Sequence, residues 1–230
     1  MARQARIVLP DTPHHITQRG NRGEPVFFEK GDYEAYIEFL AEECADKGVA
    51  IWSYCLLPNQ IQLIAVPRTE NALGRALGEA HRRYTRRINE RNGWRGHLFQ
   101  DRFFSYPMDE THLLNAARHV ETLPVAAGFA PTPESYLWSS ARAHVKGRED
   151  KLLSSERPLL HFVPDWPGFL QEWPEEADPT SIDRHLQTGR PRGNDHFLDA
   201  IEGMIGRTVR PQKPGRRSVT FTKLLKKKSS

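Results

Sequence analysis

The stretch from Val49 to Val66 constrains the fold more than any other part of this chain. Val49 to Leu57 is a nearly continuous apolar run rich in β-branched and aromatic residues, the composition of a buried strand. Pro58-Asn59 turns the chain, and Gln60-Ile61-Gln62-Leu63-Ile64-Ala65-Val66 returns as a second strand. Period-two alternation sends Ile61 and Leu63 to one face and Gln60 and Gln62 to the other. A lone hairpin is marginal in water, so other strands and a helical layer must complete it.

The flanking sequence supplies them. His14 to Arg19 reads as a short strand ended by Gly20-Asn21, and Asp32 is placed to cap a helix with Tyr36, Phe39, Leu40 and Cys44 on its apolar stripe, ending at Gly48. After Asn71, Leu73, Leu77, Ala80, Tyr84 and Ile88 recur at helical spacing as far as Gly93. A fourth strand fits Leu98 to Tyr106, and a third helix fits Glu110 to Thr122, ahead of Pro124. This order, β-α-β-β-α-β and then a helix, predicts an α+β fold with a ferredoxin-like split sheet. His15, Thr17 and Arg19 then share the polar face with Gln60 and Gln62.

After Gly128 the composition changes. Pro133 to Val145 reads as a helix that sets Tyr136, Trp138 and Ala141 against the main domain. Ser154 to Pro179 is rich in proline and aromatics, Trp166 and Trp173 among them, which marks a packed connection because such side chains gain from burial. Ser181 to Leu186 and Asp195 to Ile205 read as short helices, the second with Phe197, Ile201 and Met204 on one stripe. The expected organisation is a domain over 1–148, a mostly helical extension over 149–206 and a basic, disordered tail over 207–230. No apolar run nears the roughly 20 residues needed to cross a bilayer. Ile7-Val8-Leu9-Pro10 is too short for a signal-peptide core, and Cys44 and Cys55 have no metal-type spacing. A cytoplasmic, nucleoid-associated protein is therefore expected.

Net charge is +4, but its placement says more: residues 206–230 hold nine Lys or Arg and no acid, leaving 24 basic and 29 acidic residues for the body. A second basic run comprises Arg82, Arg83, Arg86, Arg87, Arg91, Arg95 and Arg102. Two basic regions on an acidic body point to a polyanion held at defined places; a solubilising tail and a solvated helix face are the alternative.

Several segments carry a resemblance. Tyr54-Cys55-Leu56-Leu57-Pro58-Asn59, the triplet Gln60-Ile61-Gln62 and then Leu63-Ile64 resemble the strand-turn-strand of REP-associated tyrosine transposases. These belong to the HUH class of single-strand transposases, in which a His-hydrophobic-His triplet holds a divalent cation. His15 to Arg22 is similar to the family's first strand and loop, and Gly96-His97-Leu98-Phe99-Gln100-Asp101-Arg102-Phe103 to the segment after its long helix. His119 to Gly128 is similar to a helix end that usually reads Tyr-Ile-Glu-Leu-Asn-Pro-Val-Arg-Ala-Gly, and Trp138-Ser139-Ser140 to a following Trp-Ser-Ser. The resemblance spans residues 5–145, with a weaker one at Thr188-Gly189-Arg190-Pro191 and the basic C-terminus.

Carried over residue by residue, the resemblance puts Gln60 and Gln62 at the ligand positions, His119 at the nucleophilic tyrosine and Leu123 at a polar position one helical turn later. A neutral amide is a weak ligand, leucine is none, and histidine cannot form the family's phosphotyrosine. The chain thus reads as a domesticated transposase that needs no cofactor or metal. It would bind hairpin or single-stranded DNA, as a monomer or homodimer, in a regulatory or architectural role without cutting. The alternative is an active endonuclease using His119 with Mg or Mn, and structured RNA is the other candidate ligand. Tyr84 lies on an apolar stripe, so packing is favoured over a relocated nucleophile. A new metal site from His14, His15 and His119 is the lesser reading, and Asn59 and Glu121 read as turn and helix-end residues. The candidate DNA contacts are Arg19, Arg22, Arg82, Arg83, Arg86, Arg87, Arg95, His97, Arg102, Arg190, Arg216 and Arg217. Phe99, Phe103 and Phe104 are candidates for base stacking, the first two more in keeping with a core.

Overall fold

The computed structural model describes residues 6–172 and 188–210. Four strands, β1 (His14–Arg19), β2 (Val49–Leu57), β3 (Gln60–Pro67) and β4 (Phe104–Pro107), form one antiparallel sheet in the order β2-β3-β1-β4. With α1 (Lys30–Lys47), α2 (Ala72–Asn92) and α3 (Glu110–Ala126) this is the split sheet expected from the sequence. The register sets Thr17 opposite Gln62 and Arg19 opposite Gln60, so these four side chains do share a face.

Helices α1 and α2 cover the other face. Ile16, Leu56, Ile61 and Leu63 meet Tyr36, Leu40, Leu73, Leu77 and Tyr84 in the first core. The polar face is not left open. Helix α3, with α4 (Ala141–Lys146), α5 (Leu159–Phe162) and α6 (Trp166–Gln171), closes it around Cys55, Leu57, Ile64, Tyr106, Val120 and Trp166. A third small core joins Ile7 and Leu9 to Ile201 and Val209, docking α7 (Asp195–Ile205) on the N-terminal segment.

The second core is built around the buried Glu121 carboxylate. It accepts hydrogen bonds from Ser53 Oγ at 3.2 Å, Trp166 Nε1 at 2.7 Å and Ser140 Oγ, and pairs with His144 Nδ1 at 2.6 Å. Four elements thus meet on one carboxylate, both of whose oxygens are engaged. The Trp138-Ser139-Ser140 segment also bonds to the outer edge of β2, through Leu56 N–H to Trp138 O at 2.8 Å and Ser140 N–H to Tyr54 O at 3.0 Å. At the opposite edge, Arg192 N–H donates to Pro107 O at 2.9 Å beside β4. Part of each sheet edge is thereby capped by added chain.

Several sequence expectations are corrected. The fourth strand does not run from Leu98 to Tyr106: Phe99 bridges Gly20, the chain leaves the ladder at Asp101 (φ 52°), and only Phe104–Pro107 is strand. Helix α3 passes through Pro124 to Ala126, with Pro124 buried in its last turn and unable to donate to Val120 O. Pro133 to Val145 is not one helix: a 3-10 turn at Pro133–Ser135 precedes the β2 edge contact, and α4 begins at Ala141. Glu29, not Asp32, caps α1; Asp32 completes a capping box instead. Residues 207–210 do not belong to a free tail, since Val209 is buried and Arg210 pairs with Asp199 at 2.8 Å and Glu202 at 3.0 Å. The helix expected over Ser181 to Leu186 and the rest of the basic tail lie outside the described residues.

Candidate nucleic-acid interface

The polar face of the sheet holds a closed centre. His15, fully buried, faces Gln62 Oε1 through Nε2 at 2.6 Å and Tyr106 OH through Nδ1 at 3.1 Å. Burial pushes its imidazole pKa down to about 3, with His119 and then Arg192 acting the same way against the Gln62 hydrogen bond. A neutral ring facing an amide oxygen must carry its proton on Nε2, so Nδ1 accepts from the tyrosine. Helix α3 brings His119 over this group, its ring 6.2 Å from that of His15. Leu123, one turn on, lines an apolar cleft of about 490 Å3 with His119, Thr122, Val125, Pro133 and Leu170.

This set does not fit a divalent cation. The one oxygen Gln62 could offer already takes the His15 proton, and Gln62 Nε2 and Thr17 Oγ1 are buried without hydrogen-bond partners among the described residues. Both nitrogens of His15 are engaged. The alternative trio of histidines fails too: His14 turns away, its Nε2 accepting from Leu9 N–H at 3.2 Å and its Nδ1 lying 2.7 Å from Thr12 O. Among the described residues no three His, Cys, Asp or Glu side chains are grouped to hold a metal ion.

The basic residues lie elsewhere, on the α2 side of the sheet. Arg82, Arg86, His97 and Arg102 line a cleft of about 610 Å3, with Gln18 and Arg6 at its walls. Arg82 pairs with Glu79, and Arg86 with Glu90 at 2.7 Å, both pairs exposed. Arg83 is different: it crosses to α1 and binds Glu42 at 2.7 Å and Glu43 at 2.9 Å. Arg82, Arg83, Arg86 and Arg87 therefore do not form one stripe. Arg87 is exposed outside the lining of this cleft. Arg22 and Arg95 line a neighbouring cleft of about 320 Å3 that shares His97 and Asn89 with the first. Arg19 is exposed at the end of β1. Arg190, expected as a DNA contact, is half-buried in a segment docked beside β4. Arg216 and Arg217 lie outside the described residues.

The aromatic candidates sort by burial. Phe99 and Phe103 are core, and Phe104 is half-buried. Tyr84 is fully buried and donates to Val26 O at 2.7 Å, a packing residue as its stripe implies. Asn59 ties the hairpin turn to Gly23 O at 3.1 Å, again structural. The sequence reading passed over Trp94 and Phe28, which are 50% and 45% exposed and lie edge-to-face at 5.5 Å. Their signal was available in Gly93-Trp94-Arg95-Gly96, a bulky apolar ring between glycines and beside a cation.

Residues 11–122 match the family model described as "Transposase IS200 like". In fold the chain is similar to a REP-associated tyrosine transposase bound to a REP hairpin, with a TM-score of 0.55 and 14% identity over 67% of this chain and 92% of that one. A protein from Deinococcus radiodurans R1 described as a transposase aligns with a TM-score of 0.37 and 14% identity, over 52% of this chain and 96% of that one. No curated protein sequence matches.

Proposed function

Residues 11–122 of this chain belong to the IS200-like transposase family, and from that premise we propose that the protein binds hairpin or single-stranded DNA without cleaving it, in a regulatory or architectural role. One observation carries the reading. Of the positions expected to perform the family's reaction, Gln62 is buried and bonded to His15, Gln60 is a half-exposed amide, and His119 and Leu123 lie on α3 beside an apolar cleft, while an open basic cleft persists on the far side of the sheet.

Binding needs no new chemistry. The exposed pairs Arg82–Glu79 and Arg86–Glu90 are each worth about 0–1 kcal/mol, so a phosphate can replace the glutamate at little cost. Each phosphate contact also releases condensed counterions, which drives association and makes it salt-dependent. His97, Arg95 and Arg102 on the adjoining loop extend the positive surface toward Arg22. Contacts of this kind position a backbone and read no sequence. A hairpin is the first ligand to test, because the fold is shared with a protein whose structure holds one. No helix of the described residues is long and apolar enough to cross a membrane; the proposed site of action is the nucleoid.

The test is an anisotropy titration of folded DNA palindromes at two salt concentrations. Affinity should fall steeply as salt rises; absence of binding at low salt, or binding indifferent to salt, overturns the proposal. Labelled hairpin with Mg or Mn should give neither cut strand nor covalent adduct. A product lost in His119→Ala would establish the endonuclease in its place. Folded RNA displacing DNA in competition would reassign the ligand.

A further inference from the structure

We infer that Trp94 and Phe28 form a stacking platform for one unpaired base of a DNA strand whose phosphates occupy the adjoining basic clefts. The inference rests on the DNA-binding reading and adds to it a defined subsite for single-stranded nucleotide.

A tryptophan and a phenylalanine left about half exposed forfeit burial that a core position would supply, so their placement calls for an occupant. The two rings meet at 77°, an edge-to-face arrangement that leaves a ring face unstacked. They line the cleft of about 320 Å3 together with Arg22, Pro25, Arg95 and His97, at the small end of ligand-sized sites. Glu24 is the one acid in that lining, against two arginines and a histidine.

The platform is built in advance. Trp94 follows Gly93, which ends α2 in the left-handed conformation (φ 66°), and its N–H donates to Asn89 O at 2.9 Å. The Asn89 side chain reaches past it to Gly96 O at 3.0 Å, fixing the loop from both sides. Phe28 is anchored through its N–H to Asp32 Oδ2 at 2.9 Å, and Arg91 grips that buried carboxylate at 2.6 and 3.0 Å. Rings already held lose little entropy on binding.

Charge and shape select the occupant. A flat apolar surface beside guanidinium groups matches a nucleobase joined to a phosphate, since every base offers a π-face and stacking tolerates any sequence. The cleft shares Asn89, His97 and Leu98 with the larger one lined by Arg82, Arg86 and Arg102, so one strand can run through both. Bases within a duplex are already stacked on both faces, so the site selects nucleotides outside the paired stem.

The experiment compares a blunt DNA hairpin with the same hairpin carrying a single-stranded overhang, and with one whose overhang is abasic, by anisotropy against the full chain. Trp94→Ala should weaken binding of the overhang hairpin by about five- to a hundredfold and leave the blunt hairpin within about twofold. The abasic overhang should cost wild type a similar factor, and Trp94→Phe should retain most of the affinity. Trp94 is half exposed, so these variants are expected to fold, which circular dichroism checks. Undiminished binding of the overhang hairpin by Trp94→Ala overturns the inference, as does an equal loss on the blunt hairpin. Wild type binding no DNA at low salt would remove the DNA-binding reading itself, a result distinct from either.

Discussion

On the α3 side of the sheet His15 bonds to Gln62 and Tyr106 at 2.6–3.1 Å beneath a helix, whereas on the α2 side Arg82 and Arg86 stand exposed with glutamate partners on their own helix. Both sets are polar and both come from regular secondary structure. They differ in what they could exchange for a ligand. A buried hydrogen bond is costly to leave unmade, so anything replacing one member must repeat its geometry. Exposed ion pairs are held weakly and give way to any well-placed anion. A scaffold can therefore lose reactivity on one face while its grip on the other is untouched. The two faces should respond to perturbation in different observables: stability for the closed one, salt-dependent binding for the open one.

The strongest way to break this division is Glu121→Ala, which strands the Trp166 Nε1 donor, leaves His144 Nδ1 unpaired and takes from Ser53 and Ser140 their shared acceptor. Loss of one member of such a buried charged network costs about 3–5 kcal/mol, read as a lower midpoint in urea. A variant within about 1 kcal/mol of wild type would mean that the second core does not depend on this carboxylate.

Acid is the next lever. His15 and His81 are held neutral by burial, with pKa values down to about 3, and His14 with one down to about 4. Their unfolded pKa is about 6.5, so the folded state binds fewer protons. Stability from this source is complete above pH 6.5 and is lost as pH falls toward those depressed values. Each histidine should cost about 2 kcal/mol between neutral pH and pH 5. His81 meets Tyr36 OH through Nε2 at 3.0 Å, and His81→Gln keeps a polar partner there without a titrating ring. That variant should flatten the slope of melting temperature against pH by about a third; an unchanged slope would place the acid sensitivity elsewhere. Gln62→Met is expected to be milder still. It removes an amide nitrogen that already lacks a partner while depriving His15 of an acceptor, for a net cost of about 1 kcal/mol. DNA affinity should not change.

How far the sequence reveals all this depends on the range of the interactions. The β2–β3 hairpin and the α2 stripe are legible because a strand or helix face is set by residues two to four apart. The break at Asp101 and the passage of α3 through Pro124 were missed, because each depends on what the neighbouring chain supplies: the Phe99–Gly20 bridge in one case, the proximity of a helix end in the other. The expectation that Gln60, Gln62, His119 and Leu123 stand at the family's reactive positions rests on residue identity and on the resemblance. That α3 buries Gln62 against His15 is tertiary and cannot be read that way. The same limit explains Arg83, which looks like its neighbours until α1 arrives with Glu42 and Glu43.

Arg83 and Arg86 supply the smallest and sharpest test, being one residue type, three positions apart on one helix. Among the described residues Arg86 pairs with Glu90 on its own helix, and both side chains are largely exposed, at 71% and 63%. Removing it should leave stability within about 0.5 kcal/mol, weaken DNA uniformly across sequences and lower the salt slope by about one. Arg83 instead bridges two helices, stacks its guanidinium 4.3 Å from the Phe39 ring and is only 29% exposed. Arg83→Ala should therefore cost about 1 kcal/mol through the lost clasp and ring contact while leaving the salt slope as it was. If both variants lower the slope equally, α2 presents a single basic stripe after all, and the glutamates of α1 are as exchangeable as Glu90. If neither does, the phosphates run along the 97–102 loop and Arg102→Ala becomes the variant that must show the loss.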